Sequence, residues 1–231
     1  MSEAAGPSMV AENYLASMFR LDEEGEAVTV AKLAEMLRRS PPTERLGLAL
    51  PSVLGMLRRL AKDGLIEITG EKTVRFTPRG QQIGVSVVRR HRLAECLLAD
   101  VLHVDLALVH TEAHRLEHAI SPAVEERIDA VLGRPASCPF GYPIPGNAPP
   151  RRSHGKTLGQ VTAEERWQID RIPEDDTRLL EYLVSNGLLP NTPITVREVA
   201  PYKGTMTLDV DHREVVIGLQ VAGGIRVRRP E

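Results

Sequence analysis

Three helix-like segments followed by a hairpin pattern are the feature that most constrains the fold of this 231-residue chain. Apolar residues recur at helical spacing in three segments, residues 9–22, 29–39 and 51–63. Alternating apolar and polar residues on either side of a Gly-containing turn then predict a β-hairpin over residues 65–77. Three helices and a hairpin in this order predict a winged helix-turn-helix.

The charge distribution of this segment favours DNA as its partner. The whole chain has a net charge of −2, yet residues 36–92 hold twelve Lys/Arg and only four Asp/Glu. In a winged helix-turn-helix the third helix enters the major groove, so the predicted DNA contacts are Arg45, Ser52, Arg58 and Lys72. The alternative is a small helical core with solvated arginines. The long connection at 41–49 and Gly55 inside the third helix are unusual for this motif.

The rest of the chain predicts more helices and then a small β structure. Helical patterns cover residues 78–102, 105–119 and 121–132, and proline content predicts a linker over 134–156. Short strand-like pieces between 194 and 228 predict a small barrel, with a helical interval at 175–186. The expected fold class is mainly α with a small β part.

A group of histidines and carboxylates predicts a metal site. His110, His114, Glu117 and His118 fall within about 100° on one helix face, and His91 and Glu95 form an i,i+4 pair upstream. Imidazole and carboxylate donors suit a first-row divalent ion. Single pairs of this kind often decorate solvated helices without a ligand. Residues 114–118 (HRLEH) also match an inverted zinc-protease pattern, but no further zinc ligand or substrate cleft is evident.

Composition excludes several other classes. The two cysteines, Cys96 and Cys138, make a disulfide framework improbable. No apolar run approaches the roughly 18 residues of a membrane span, and the first residues lack the pattern of a secretory signal. We therefore expect a cytoplasmic protein with no membrane partner.

Four short stretches resemble the diphtheria-toxin-repressor family of iron- and manganese-dependent regulators. They are residues 61–65 (AKDGL), 90–95 (RHRLAE), 109–118 (VHTEAHRLEH) and 139–146 (PFGYPIPG), in family order and spacing. The resemblance is strong over residues 10–146 and weaker in the C-terminal part, which looks like the SH3-like (FeoA-like) domain of the family. It implies a DNA-binding domain at 1–77, a helical metal-binding and dimerisation domain at 78–146, and an SH3-like β-barrel at 147–231.

The resemblance also implies a homodimer on a palindromic double-stranded DNA operator, with two metal sites per subunit. By position, the ancillary site would use His91, Glu95 and His110, with Glu174 and Asp175 as further candidates. The primary site would use Asn13, His114, Glu117 and His118.

Two substitutions at the primary site bear on the choice of metal. Iron-type members carry Cys and Met where this chain has His114 and Asn13, and manganese-type members carry acidic residues at both positions. A donor set without sulfur favours Mn(II), although Fe(II) and Zn(II) can compete. The sequence thus predicts a Mn(II)-responsive repressor of metal-uptake genes and not an enzyme. An iron-responsive repressor, or a DNA-binding protein with a purely structural metal, remains the alternative.

Overall fold

The computed structural model of the chain describes residues 6–38, 49–69, 73–149 and 155–230. Its first part is a winged helix-turn-helix with the elements α1 (Met9–Glu23), α2 (Val30–Leu37), α3 (Leu50–Lys62), β1 (Ile66–Ile68) and β2 (Val74–Phe76). The two strands pair antiparallel. This part confirms the predicted fold; the long connection over 41–49 lies outside the described residues except for its last member, Ala49.

The predicted apolar faces form the core of this part. Side-chain oxygens of Ser8 and Thr29 accept from the first turns of α1 and α2, which fixes where both helices begin. The apolar faces of the three helices and the hairpin share one core, built from Tyr14, Leu15, Met18, Leu33, Leu37, Val53, Leu57, Leu60, Ile66 and Val74. Helices α1 and α3 therefore pack into the same core.

Three further helices form the middle of the molecule. They are α4 (Pro78–Cys96), α5 (Leu106–Leu116) and α6 (Pro122–Val131), and α4 continues as one π-helical turn over Leu97–Val101. The predicted helix at 105–119 is too long, because α5 ends at Leu116 and residues 117–119 form a turn.

The C-terminal part is a six-stranded antiparallel sheet with two short helices. Its elements are β3 (Lys156–Thr157), β4 (Arg166–Arg171), α7 (Thr177–Ser185), β5 (Pro193–Ala200), β6 (Thr205–Val210), β7 (Arg213–Gly218), α8 (Leu219–Gly224) and β8 (Arg226–Arg228). The strand order is β3-β8-β4-β5-β6-β7. The small SH3-like β structure is thus confirmed. Strand β4 escaped prediction because Arg171 takes one of its three inward positions, beside Trp167 and Ile169.

Residues 138–144, in the middle of the predicted linker over 134–156, pack into the core, so that prediction is wrong for this stretch. Phe140 and Ile144 are fully buried. Arg89 donates to the carbonyl of Pro145, and Arg92 donates to the carbonyl of Pro143, both at 2.6 Å. The prolines restrict the backbone of this segment without exposing it, which composition alone does not reveal.

One continuous apolar core joins α4–α6, residues 138–144 and the C-terminal sheet. Gly141 marks the closest approach: its φ is +91°, and a Cβ there would lie 2.0 Å from the carbonyl oxygen of Asp170. Two ion pairs also tie the end of α1 to the sheet, because Glu24 accepts from Arg171 at 3.0 Å and from Arg226 at 2.9 Å. The packing therefore fixes the C-terminal sheet against both α1 and the middle helices.

Candidate metal centre

The two predicted ligands on α4 lie at its buried C-terminal end beside a histidine of α5. His91 and Glu95 are one helical turn apart, so both face α5. Oε1 of Glu95 lies 2.9 Å from Nε2 of His91 and 3.0 Å from Nδ1 of His110. The two imidazole nitrogens are 3.2 Å apart. The structure thus brings together the three residues predicted for the ancillary site.

A carboxylate from the C-terminal sheet domain joins this group. Glu174 follows β4 and places Oε1 3.7 Å from Nδ1 of His110, while Oδ1 of Asp175 lies 3.6 Å from Nε2. One donor atom each from His91, Glu95, His110 and Glu174 lies within 4.8 Å of the others, and we call these four residues the α4–α5 cluster. Donor atoms that each bind one ion at about 2.1 Å must likewise lie within a few ångströms of one another.

Two orphan oxygens show that the α4–α5 cluster fits a divalent cation. Oε2 of Glu95 and Oε2 of Glu174 are buried, and neither has a hydrogen-bond partner among the described residues. A buried carboxylate oxygen without a partner is costly. A cation bound between these nitrogen and oxygen donors would satisfy both oxygens.

The predicted primary ligands meet between α1 and the turn after α5. Nε2 of His118 lies 2.7 Å from Oδ1 of Asn13 and 3.2 Å from Oε1 of Glu117. We call Asn13, Glu117 and His118 the α1–α5 cluster. It joins the first helix of the DNA-binding part directly to the middle helices.

His114 lies between the two clusters, so the predicted division into separate sites is less sharp than the sequence implied. Its Nδ1 is 3.6 Å from Oε1 of Glu117. Its ring centroid is also 4.5 Å from that of His91 and 4.7 Å from that of His110, and donor atoms of these three histidines lie within 4.8 Å of one another. Glu117 bridges the clusters as well, because its Oε2 is 2.6 Å from Nδ1 of His91.

Glu12 is a functional contact that the sequence analysis missed. Its Oε2 lies 2.6 Å from Nδ1 of His118, and its Oε1 accepts from Arg90 at 3.1 Å. A carboxylate on the outer nitrogen of a ligand histidine fixes the orientation and tautomer of that ring. The only available signal was that Glu12 precedes Asn13 on α1.

Burial and neighbouring charges shift the pKa values of the α4–α5 cluster in different directions. Burial lowers the pKa of His110 to about 4, which leaves this imidazole neutral and able to bind a metal. Burial alone would raise the pKa of Glu95, but His91 and His110 outweigh it and hold that pKa well below its usual range. Burial and the nearby Glu95 raise the pKa of Glu174 well above its usual range.

In the α1–α5 cluster, the pKa of the histidine is raised and the pKa of the glutamate is lowered. Burial alone would lower the pKa of His118, but the hydrogen bonds that its ring donates to Glu117 and Glu12 outweigh it and raise that pKa to about 9. Burial likewise opposes ionisation of Glu117, yet the histidines around it hold its pKa well below the usual range. In the metal-free protein, protonated His118 therefore lies between two carboxylates.

The predicted DNA contacts are described only in part. Ser52 and Arg58 are exposed on α3, on the side away from its buried apolar residues. Arg45 and Lys72 lie outside the described residues. Arg59 and Lys62 share the exposed side of α3 and add two cations that the sequence analysis did not select.

Comparisons with known proteins agree with this arrangement. The family model described as the iron dependent repressor, N-terminal DNA binding domain, matches residues 8–74, and the one described as its metal binding and dimerisation domain matches residues 77–146. A FeoA domain model matches residues 156–229. The iron-dependent repressor IdeR of Mycobacterium leprae is 32% identical, over 94% of this chain and 96% of that protein. The chain belongs to the diphtheria-toxin-repressor family.

Two other similar proteins extend the comparison. The diphtheria toxin repressor of Corynebacterium efficiens is 39% identical over 59% of this chain and 56% of that protein. A solved manganese-dependent transcriptional repressor in complex with manganese is 29% identical, with a TM-score of 0.83 over 95% of this chain and 100% of its own.

Membership of the family establishes the general activity. The chain is a metal-dependent transcriptional repressor with DNA-binding and dimerisation domains, and not an enzyme. Within the described part of the chain, no helix has both the length and the apolar character needed to cross a bilayer.

Proposed function

We propose that this chain is a cytoplasmic, Mn(II)-responsive repressor of metal-uptake genes that binds a palindromic operator as a dimer. Each subunit would hold two metal ions. His91, Glu95, His110 and Glu174 would bind one ion, with Asp175 as a further candidate, and Asn13, His114, Glu117 and His118 would bind the other. The observation that carries this proposal is the donor set of the two clusters, which contain only imidazole, carboxylate and amide donors among the described residues.

The chemistry of the donors supports manganese. Hard oxygen and nitrogen donors suit Mn(II), whereas thiolates favour softer ions. Burial raises the pKa of Cys96 to about 12 and that of Cys138 well above its usual range, which disfavours the thiolate form of both. A protonated thiol is a poor ligand. The 29% identical structure named for manganese supports the same choice.

Iron is the second candidate metal. The relative that matches this chain over 94% of its length is named an iron-dependent repressor. Fe(II) follows Mn(II) in the Irving–Williams order and binds the same nitrogen and oxygen donors more tightly at equal concentration. The metal available in the cell would then decide the response.

The position of Asn13 supports a mechanism that couples metal to DNA. A metal held by Asn13 and by the residues after α5 would fix α1 against the middle helices. The core that α1 shares with α3 would then hold α3 in its DNA-binding position. We expect α1 to be more mobile without metal. By linkage, metal tightens DNA binding by the same factor as DNA tightens metal binding.

Exposed apolar residues support the proposed dimer and give a direct test. Val101, Leu102 and Leu108 are 45%, 57% and 48% exposed around the α4–α5 connection. Large exposed apolar residues that lie together mark interfaces. We expect Leu102→Glu to produce monomers in sedimentation velocity, because the interface would have to bury an unpaired charge. Val216→Glu, at a 51% exposed position of the sheet, should stay dimeric. A dimeric Leu102→Glu protein would rule out this interface.

Gly55 tests how closely α3 approaches DNA. It is exposed in the middle of α3, and a Cβ there would have nothing within 4 Å. Gly55→Ala should stabilise the helix by about 1 kcal/mol. If the glycine allows a close approach to DNA, this more stable variant should bind operator more weakly. Thermal melts and fluorescence anisotropy measure the two effects, and equal or tighter DNA binding would mean that Gly55 is merely tolerated.

A paired titration separates the proposed sensor from a protein with a purely structural metal. Duplexes selected from a randomised pool by the metal-loaded protein serve as operator, and DNA affinity is measured against free Mn(II) and, without oxygen, free Fe(II). A sensor remains folded in chelator and gains DNA affinity in a graded way. A structural metal gives unfolding in chelator and no graded gain. Because Fe(II) binds such donors more tightly in any case, only a gain in DNA affinity with Fe(II) and none with saturating Mn(II) would favour the iron alternative.

A further inference from the structure

We propose that Arg20 is a built-in cation that weakens metal binding and so sets the metal concentration at which this repressor responds. The inference rests on the proposed ligand set. Arg20 lies in the last turn of α1. Its cationic side chain is not a metal ligand in either cluster. Its place in the fold, and not its sequence position, points to this role.

Arg20 extends into a small cavity beside both clusters. The cavity has a volume of about 60 Å³ and is lined by Arg20 together with His114, Glu174 and Asp175. Nε and Nη2 of the guanidinium are buried and have no hydrogen-bond acceptor within the described part of the chain. These two nitrogens therefore contribute positive charge to the cavity but no hydrogen bond.

The carboxylates near Arg20 belong to the proposed metal sites. Burial alone would lower the pKa of Arg20, but the charges of Glu174, Glu117 and Asp175 outweigh it and raise that pKa. Arg92 is the one cation among the main charges acting on Arg20, and it acts in the opposite sense. Arg20 therefore offsets part of the negative charge that an incoming metal ion would otherwise meet.

The same charge must repel a divalent cation. At an effective dielectric constant of about 20, repulsion between charges of +1 and +2 within one small site corresponds to well over a tenfold change in affinity. Solvent screening and rearrangement of protons reduce this value. We therefore expect a neutral residue at position 20 to tighten metal binding by about tenfold or more.

The test is the Mn(II) affinity of the full-length protein, read directly from the electron paramagnetic resonance signal of free Mn(II). Arg20→Met keeps a long apolar stem and removes the charge, and it should bind Mn(II) about tenfold or more tightly than wild type. Arg20→Lys keeps the charge and should stay within about threefold of wild type. Arg115→Met removes a cation on α5 whose side chain is 54% exposed, and it should leave the affinity unchanged because water screens that charge.

The outcomes separate this inference from the proposed function. Equal or weaker Mn(II) binding by folded Arg20→Met would overturn the inference while leaving the proposed function intact. If Arg20→Met does not fold without metal, the smaller polar change Arg20→Gln is judged by the same criterion. Absence of Mn(II) and Fe(II) binding by the wild-type protein would overturn both.

Discussion

Replacing Glu117 with glutamine is expected to abolish the metal dependence of DNA binding. Oε2 of Glu117 lies 2.6 Å from Nδ1 of His91, and Oε1 lies 3.2 Å from Nε2 of His118. The substitution removes the charged ligand of the α1–α5 cluster and the carboxylate that contacts His91 of the α4–α5 cluster. It also places an amide nitrogen, which donates hydrogen bonds, where the two imidazoles have an acceptor. Allosteric coupling between two ligands is typically 5- to 150-fold. We expect that factor to fall to about one.

The measurement is the ratio of operator affinities with saturating Mn(II) and with chelator. Glu112→Gln is the matched control, since Glu112 lies on α5 just before the turn that holds Glu117, with its side chain 38% exposed and paired with Arg115. The control should keep the wild-type ratio. A wild-type ratio in folded Glu117→Gln would show that neither cluster carries the signal from metal to DNA.

Gly141→Ala is expected to have the largest effect on stability. The left-handed backbone at φ +91° disfavours a side chain, and the new Cβ would lie 2.0 Å from the carbonyl oxygen of Asp170. Strain and overpacking together predict a loss of about 2–5 kcal/mol in the free energy of unfolding. Because β4 leads to Glu174, the displaced contact should also withdraw a carboxylate from the α4–α5 cluster and weaken Mn(II) binding.

Gly133→Ala separates the effect of backbone strain from that of overpacking. Gly133 also has a left-handed backbone, at φ +73°, but a Cβ there would have nothing within 4 Å. It should lose only the cost of the left-handed conformation, about 1–2 kcal/mol, and keep wild-type Mn(II) affinity. Urea denaturation and a Mn(II) titration of both variants measure this difference. Equal losses of unfolding free energy in the two variants would mean that the close approach of residue 141 to β4 does not contribute to stability.

Helical periodicity predicted the winged helix-turn-helix well because its core is built within about 70 consecutive residues. The inner faces of α1, α2 and α3 are local patterns, and the structure buries them as expected. The segment 134–149 was instead predicted from its proline content to be a linker, and that prediction failed. Its burial depends on Arg89 and Arg92 of α4, which bond its carbonyls from more than 50 residues away. Composition contains no information about such partners.

The candidate site shows the same limit. Spacing on α4 and α5 was enough to select His91, Glu95 and His110, because residues one turn apart share a helix face. The contacts of Glu12 with His118 and of Arg20 with the acidic cavity depend on how α1 packs against α4 and meets the turn after α5, which spacing does not give. The place of His114 between both clusters is also a property of the packing, since its nearest rings come from α4 as well as from its own helix.

The central claim is that metal bound by these residues increases the affinity of this chain for DNA. Reciprocal titration tests this claim most directly. Operator affinity is measured by anisotropy with and without Mn(II), and Mn(II) affinity is measured with and without operator. Linkage requires the two ratios to be equal, and we predict a common factor of at least about fivefold. An operator affinity that is the same in Mn(II), Fe(II) and chelator would contradict the account.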